Sequence, residues 1–435
     1  MAEQTTARRW ALDGVRVIDL TWLLVGPQAT RILASFGAEV IRVEWRDPRA
    51  IDFLRYTPPF APGGSGAAVE DRGLLSGSPK YGFNRSGNFN NINPGKLGIT
   101  LNLNHPKGRE ILKRLVATAD ILCENFSPAR MAQWGIAYDE LSKLNPRLIY
   151  LQTTGVGKAG VYDDYVSYGP TAQALSGLTH LSGLPEPHPP AGWGYSYLDH
   201  SPGYYGAMLV MAALLRRRKT GAGCYIDLSQ SETGMFLSGT STLEHQLDGQ
   251  PTRRHGNRMP FAPHAPHGIY QCAGDDEWIA IAVESDQQWR ALADELGAHA
   301  LANDQRLRTA AGRKANEDEL DGALVQYTSR HERYELARRL QARGIAAGPV
   351  QRSDDRFERD PQLRARGYFV TLPHGEIGDW PIENFPAKLE KSPAFVGGRH
   401  GRASPMLGED NDRVYRELLA MTPEEISALT EEGVI

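Results

Sequence analysis

Short apolar runs alternate with stretches of helical periodicity along the first part of the chain. Val15–Leu20 reads as a buried strand, Pro27–Phe36 as a helix stopped by Gly37, and Glu39–Glu44 as the next strand. This is a βαβ unit. Ile99–Leu103, a helix from Pro106, Ile121–Glu124 and Leu148–Gln152 continue the alternation, which predicts an α/β fold with a mainly parallel sheet. Polar, Gly- and Pro-rich stretches at Thr57–Gly87 and Gly183–Gly194 read as long surface loops, a common home for binding residues. The texture changes around Arg253–Pro266. His267–Cys272 and Trp278–Val283 form a hairpin pattern across Ala273–Glu277, followed by a helix from Asp286 to Leu296. Helical segments near Leu301–Arg343, a strand at Pro349–Gln351, a second hairpin around Tyr368–Ile382 and a closing helix from Thr422 complete the reading. The hairpin region predicts a second, smaller α+β domain.

At 435 residues the chain is too long for one ordinary core, which agrees with two domains. A formal net charge of -4 gives no overall attraction to nucleic acid or to an anionic membrane. Cys123, Cys224 and Cys272 lie far apart with no CxxC spacing and read as reduced thiols of a cytoplasmic protein. Arg8-Arg9 is not followed by an apolar segment, because Asp13, Arg16 and Asp19 interrupt it, so no export signal is expected. The longest apolar run, Ala207–Leu215, is half of the roughly 20 residues a membrane span needs and reads as a core helix.

Three segments can carry chemistry. Thr21–Pro27 joins a strand to a helix N-terminus, where free N–H groups favour an anion, although Gly26-Pro27 also suits a plain tight turn and no GxGxxG is present. Ser127-Pro128 reads as a helix start that places Arg130 in the first turn. The helix dipole disfavours a cation there; a phosphate partner would explain it, and so would simple solvation. In Tyr197–Tyr204, Ser201-Pro202 supplies a helix cap by itself, which leaves Asp199 outside the helix and free to point elsewhere. An aspartate is ionised at neutral pH and can attack an acyl carbon without a base. His255, His264 and His267 lack metal-ligand spacing, so no metal is expected. Trp45 and Trp134 suit adenine stacking or ordinary packing.

Taken together, these segments resemble the class III (CaiB/BaiF) CoA-transferases over nearly the whole chain. The resemblance rests on Leu12–Thr21 with Gly26-Pro27, on Phe36–Glu44, on Ala119-Asp120 through Pro128, and on Asn145–Tyr150 and Gln173–Gly177. Asp199, Thr220–Gly223, Gly344–Val350, Asp360–Leu363 and Leu407–Glu409 extend it. It implies a large Rossmann-like domain whose parallel sheet is formed by both chain ends, a smaller α+β domain, and an interlocked dimer. The implied boundaries are 1–230 for the large domain, 231–262 for a linker, 263–350 for the small domain, and 351–435 for the return. The implied nucleophile is Asp199, which would take CoA from an acyl-CoA through a mixed anhydride and an aspartyl-CoA thioester and pass it to a carboxylic acid. CoA would be a substrate, with no covalently bound cofactor. Its implied contacts are Trp22, Val25, Trp45, Arg46, Lys96, Asn125, Phe126, Arg130, Thr154 and Gly155.

Departures narrow the expectation. Formyl-CoA transferases have a glutamine where this chain has Leu23 or Leu24, and a glycine-rich run not found here, so oxalate is disfavoured. Trp45-Arg46 stands where those relatives place an adenosine-binding arginine, and Tyr168 stands where racemases of the family have a histidine. Trp22, Trp193 and Tyr195 hint at an acyl pocket for a dicarboxylic or aromatic acid such as benzylsuccinate. Two other readings remain open: an isomerase that moves CoA within a dicarboxyl-CoA, and a noncatalytic subunit beside a paralogue.

Overall fold

The computed structural model of the chain describes residues 9–47, 51–61, 82–192 and 194–435. Trp193 and most of the Thr57–Gly87 loop therefore lie outside the described residues. Six parallel strands, β1 (Arg16–Asp19), β2 (Glu39–Glu44), β3 (Leu97–Thr100), β4 (Ile121–Glu124), β5 (Ile149–Thr154) and β6 (Cys224–Ser229), form a sheet of order β3-β2-β1-β4-β5-β6. The strands are apolar in consecutive positions because both faces are covered, as expected for a parallel sheet. Val17, Val40, Ile121 and Ile149 face helix α1 (Val25–Ser35). Ile18, Ile41, Leu122 and Tyr150 face helix α2 (Pro106–Ala117).

On the α1 side, Ala207, Val210 and Leu214 of a long helix complete the packing, so one face of the apolar run at 207–215 is core, while Met208, Leu209 and Leu215 on the other face are exposed. Among the described residues no helix is long and apolar enough to cross a membrane.

The sheet departs from expectation in one respect. All six strands come from the N-terminal part, and the C-terminal residues pack against the sheet without adding a strand. Tyr415, Leu419, Val434 and Ile435 join the α2-side core, and the Asn102 N–H donates to the Val434 carbonyl at 2.8 Å. Among the described residues, the predicted second hairpin pairs only with itself.

The chain divides into two compact units. One comprises Met1–Leu178, Trp193–Thr242 and Gln362–Ile435, and the other Thr179–Gly192 and Leu243–Pro361. The second unit has an antiparallel sheet of β7 (His267–Gln271), β8 (Trp278–Ala282) and β9 (Ala346–Pro349), packed through Trp289, Leu292, Leu336 and Leu340.

Under the carboxyl ends of β1 and β2 lies a buried ionic layer. Lys96 Nζ donates to Asp19 Oδ2 at 2.9 Å, Thr30 Oγ1 at 2.7 Å, Asn93 Oδ1 at 2.8 Å and the Pro27 carbonyl at 3.2 Å. Arg42 joins Asp19, Glu44 and Asp52, and Arg55 closes on Glu44. Burial alone would raise the Asp19 carboxyl, but Lys96 and Arg42 outweigh it and hold it down at about 2. Lys96 is pulled down to about 8 by burial, a shift that Asp19 offsets only in part.

Lys96 is thus an interior group with its donors committed, and the expectation that it contacts CoA phosphate fails on burial. Replacing Lys96 by Met leaves the Asp19 carboxylate short of a buried partner and is expected to cost about 3–5 kcal/mol of stability in urea unfolding. A variant as stable as the parent but weaker in binding CoA would contradict this placement.

Candidate active site

The strand order reverses direction between β1 and β4, so the loops leaving their carboxyl ends diverge and open a crevice. Asn125 ties its two sides together. Its Oδ1 accepts from the Trp22 N–H at 2.7 Å, and its Nδ2 donates to the Trp22 carbonyl at 2.8 Å. Trp22 and Phe126 meet edge to face at 5.8 Å, and Phe126 meets Trp134 at 5.5 Å.

Two clefts share Trp22, Phe126 and Ser127. The larger, about 420 Å³, also has Trp45, Leu103 and Arg130 in its wall, with the Arg130 guanidinium 5.6 Å from the Trp134 ring. Arg130 opens a four-residue helix of its own, so the predicted start at Ser127-Pro128 is displaced. The smaller cleft, about 210 Å³, is lined by Val25, Asn125, Thr154, Gly155, Asp199 and Gln230 among others. Arg46 is exposed and lines neither cleft. Tyr195 is likewise absent from both and stacks on His200 at 4.5 Å.

Asp199 does not sit outside its helix. Helix α3 (Gly169–Leu175) lies beside α4 (Tyr197–Thr220), in which Asp199 is the third residue and Pro202 falls inside. The Ser201-Pro202 signature misleads for a physical reason. Proline has no N–H, so the Leu198 carbonyl four residues earlier loses its helical donor. Gln230, the first residue of α5 (Gln230–Leu237), supplies the replacement: its Nε2 donates to the Leu198 carbonyl at 2.8 Å. The same nitrogen lies 3.4 Å from Asp199 Oδ1. The helix defect therefore docks an amide beside the carboxylate.

Burial pushes the Asp199 carboxyl up, eased by the Ser196 hydroxyl beside it, by Gln230 and by the Gly169 N–H. Ser196 Oγ makes no well-formed hydrogen bond of its own, so its contribution is one of proximity. The first-turn N–H groups of α4 further favour the anion. The neighbouring imidazole is no cation: burial, helped by Arg31, depresses His200 to about 4.

The family model for CoA-transferase family III matches residues 12–411. The chain belongs to this family. It is 32% identical over 98% of its length to the succinyl-CoA–L-malate CoA-transferase beta subunit of Chloroflexus aurantiacus, covering 98% of that protein, and 31% identical to the alpha subunit. It is 32% identical over 94% of its length to a succinate–glutarate CoA-transferase of Agrobacterium fabrum, covering 96% of it. It spans half the length of a probable CoA-transferase of Mycobacterium tuberculosis that is also 32% identical. A crystal structure of a CaiB/BaiF family protein from Brucella suis superposes with a TM-score of 0.82 at 30% identity, covering 94% of this chain and 99% of that one. The resemblance read from the sequence is borne out.

Two features of this family III CoA-transferase were not read from its sequence. One is Gln230, whose role depends on a proline 28 positions earlier. The other is Glu124, fully buried at the end of β4, whose Oε2 accepts from the Phe126 N–H at 2.8 Å and Oε1 from the Tyr150 hydroxyl at 3.3 Å. Burial pushes Glu124 up to about 8 against these bonds.

The folded protein thus holds a proton that the unfolded chain releases near 4.5. The resulting stability is fully present below that pH and is lost as pH rises through about 8. Glu124→Gln is expected to flatten the pH dependence of the urea midpoint across this window, on the order of a kcal/mol or more. An unchanged slope would contradict it.

Gly169 lies against Asp199. A Cβ there would lie 2.4 Å from the Asp199 carboxyl carbon and 2.1 Å from Ser196 Oγ. Gly169→Ala is expected to lower kcat/KM by at least about 100-fold with a native circular dichroism spectrum. Activity within about threefold of the parent would show that the carboxylate is not held where it lies.

Proposed function

We propose that this chain transfers CoA from an acyl-CoA to a carboxylic acid with Asp199 as the nucleophile. The observation that carries the reading is a half-sequestered carboxylate, made more basic by burial, in the wall of a cleft that it shares with the loops of the sheet's switch point. The Asp199 oxygen attacks the thioester carbon and CoA leaves as thiolate, giving a mixed anhydride. The thiolate then attacks the aspartyl carbonyl, which releases the donor acid and forms an aspartyl-CoA thioester. The acceptor carboxylate repeats these steps in reverse order, so Asp199 is regenerated and no net proton is consumed. Backbone N–H groups stabilise each oxyanion. The larger cleft takes the nucleotide end of CoA, with Arg130 at a phosphate and Trp45 or Trp134 against the adenine.

Relatives bear the names of succinate, malate and glutarate transferases, so the acid differs within the family. The sequence expectation of a dicarboxylic or aromatic acid such as benzylsuccinate leaves the choice between those two classes to the lining of the cleft. Tyr204, Met208, Leu215, Met235 and Phe236 expose apolar surface in the first unit, which supports an interlocked dimer. Near-equal similarity to an alpha and a beta subunit leaves a like or a paralogous partner equally fitting. Three free cysteines suit the cytoplasm.

Exchange of labelled acid into acyl-CoA tests the chemistry. Asp199→Ala is expected to lose at least about 1000-fold in rate with its melting temperature retained. Exchange within about tenfold of the parent would remove the nucleophile.

A further inference from the structure

We propose that the Asp199 cleft is built for the acyl group of a monocarboxylic acid with an aromatic or bulky aliphatic body, and against a dicarboxylate. The inference rests on Asp199 being the nucleophile. Among the described residues, no Lys, Arg or His lines this cleft. Its polar groups are the Asn125 and Gln230 amides and the hydroxyls of Ser127, Thr153, Thr154, Ser167 and tyrosines. A second substrate carboxylate would enter beside the Asp199 anion with no cation to pair with, and both the like charge and the lost hydration oppose it. His200 cannot serve, since burial holds it neutral.

One wall is apolar instead. The segment after β5 brings Tyr165, Val166 and Tyr168 into the lining, and these residues are 53%, 73% and 64% exposed. Tyr162, which is not in the lining, packs against Tyr165 with the two rings tilted by 35° and their centroids 4.9 Å apart. Trp22, Leu23, Val25 and Phe126 face them from the switch-point loops. The volume fits as well: about 210 Å³ exceeds the ~150 Å³ of an apolar cavity that holds benzene. A ring with a short linker to the reacting carbonyl fills it, and the aromatic wall gains contact area that a four- or five-carbon dicarboxylate does not offer.

Self-exchange measures the preference without knowing the natural acid. The full-length protein is incubated either with 3-phenylpropanoyl-CoA and labelled 3-phenylpropanoate, or with succinyl-CoA and labelled succinate. The inference predicts kcat/KM at least about tenfold higher for the phenyl pair. Val166→Arg places a cation in the exposed wall and is expected to raise succinyl exchange by at least about fivefold. Tyr168→Ala is expected to lower phenylpropanoyl exchange by about tenfold and succinyl exchange by far less. Equal or faster succinyl exchange by the parent, or no gain from Val166→Arg, overturns the acid preference and leaves the nucleophile standing. If neither pair exchanges and neither thioester labels Asp199, the underlying reading falls instead.

Discussion

A missing backbone N–H organises the site. Pro202 deprives the Leu198 carbonyl of its helical partner, and a buried carbonyl without a donor is costly, so the Gln230 amide is drawn in from the start of the next helix. Because that amide also reaches Asp199, one helix irregularity fixes the carboxylate's surroundings on one side. Gly169 fixes them on the other, since only a residue without Cβ lets the backbone approach so closely. The aspartate is therefore caught between two helices, raised by burial but kept polar by a few donors, which is the balance a carboxylate nucleophile needs.

A second constraint holds the cleft open. The ionic layer of Asp19, Lys96, Arg42, Glu44 and Arg55 sits beneath the ends of β1 and β2, where removal of any one charge strands its partner. It stiffens the first loop from below, and Asn125 clamps the same loop from the side at Trp22. Glu124 in turn sets the corner that presents Asn125 and Phe126. The cleft wall is thus an extension of the sheet core.

The parts legible in the sequence were those decided locally. β1, β2 and β4 were readable because strands buried on both faces are short, continuous apolar runs, and Glu39–Glu44 and Ile121–Glu124 match to the residue. β6 was not read, because Cys224–Ser229 is a half-exposed edge strand packed against the end of a helix signal. The start of α4 was misread because Ser-Pro is a strong local cap pattern, and only tertiary contact with Gln230 makes a proline tolerable inside the helix. Lys96 was misassigned for a similar reason: its partner Asp19 lies 77 residues away, and nothing local distinguishes a buried lysine from a surface one. Tyr165 and Val166 carried no motif, and the cleft alone reveals their place.

The central claim is that Asp199 itself carries the acyl group and then CoA. Peptide mapping by mass spectrometry of protein quenched during turnover with an acyl-CoA measures this directly. A CoA-sized adduct on the peptide containing Asp199, sensitive to hydroxylamine and absent in Asp199→Ala, is the result expected. Sustained turnover with that peptide unmodified would contradict the account.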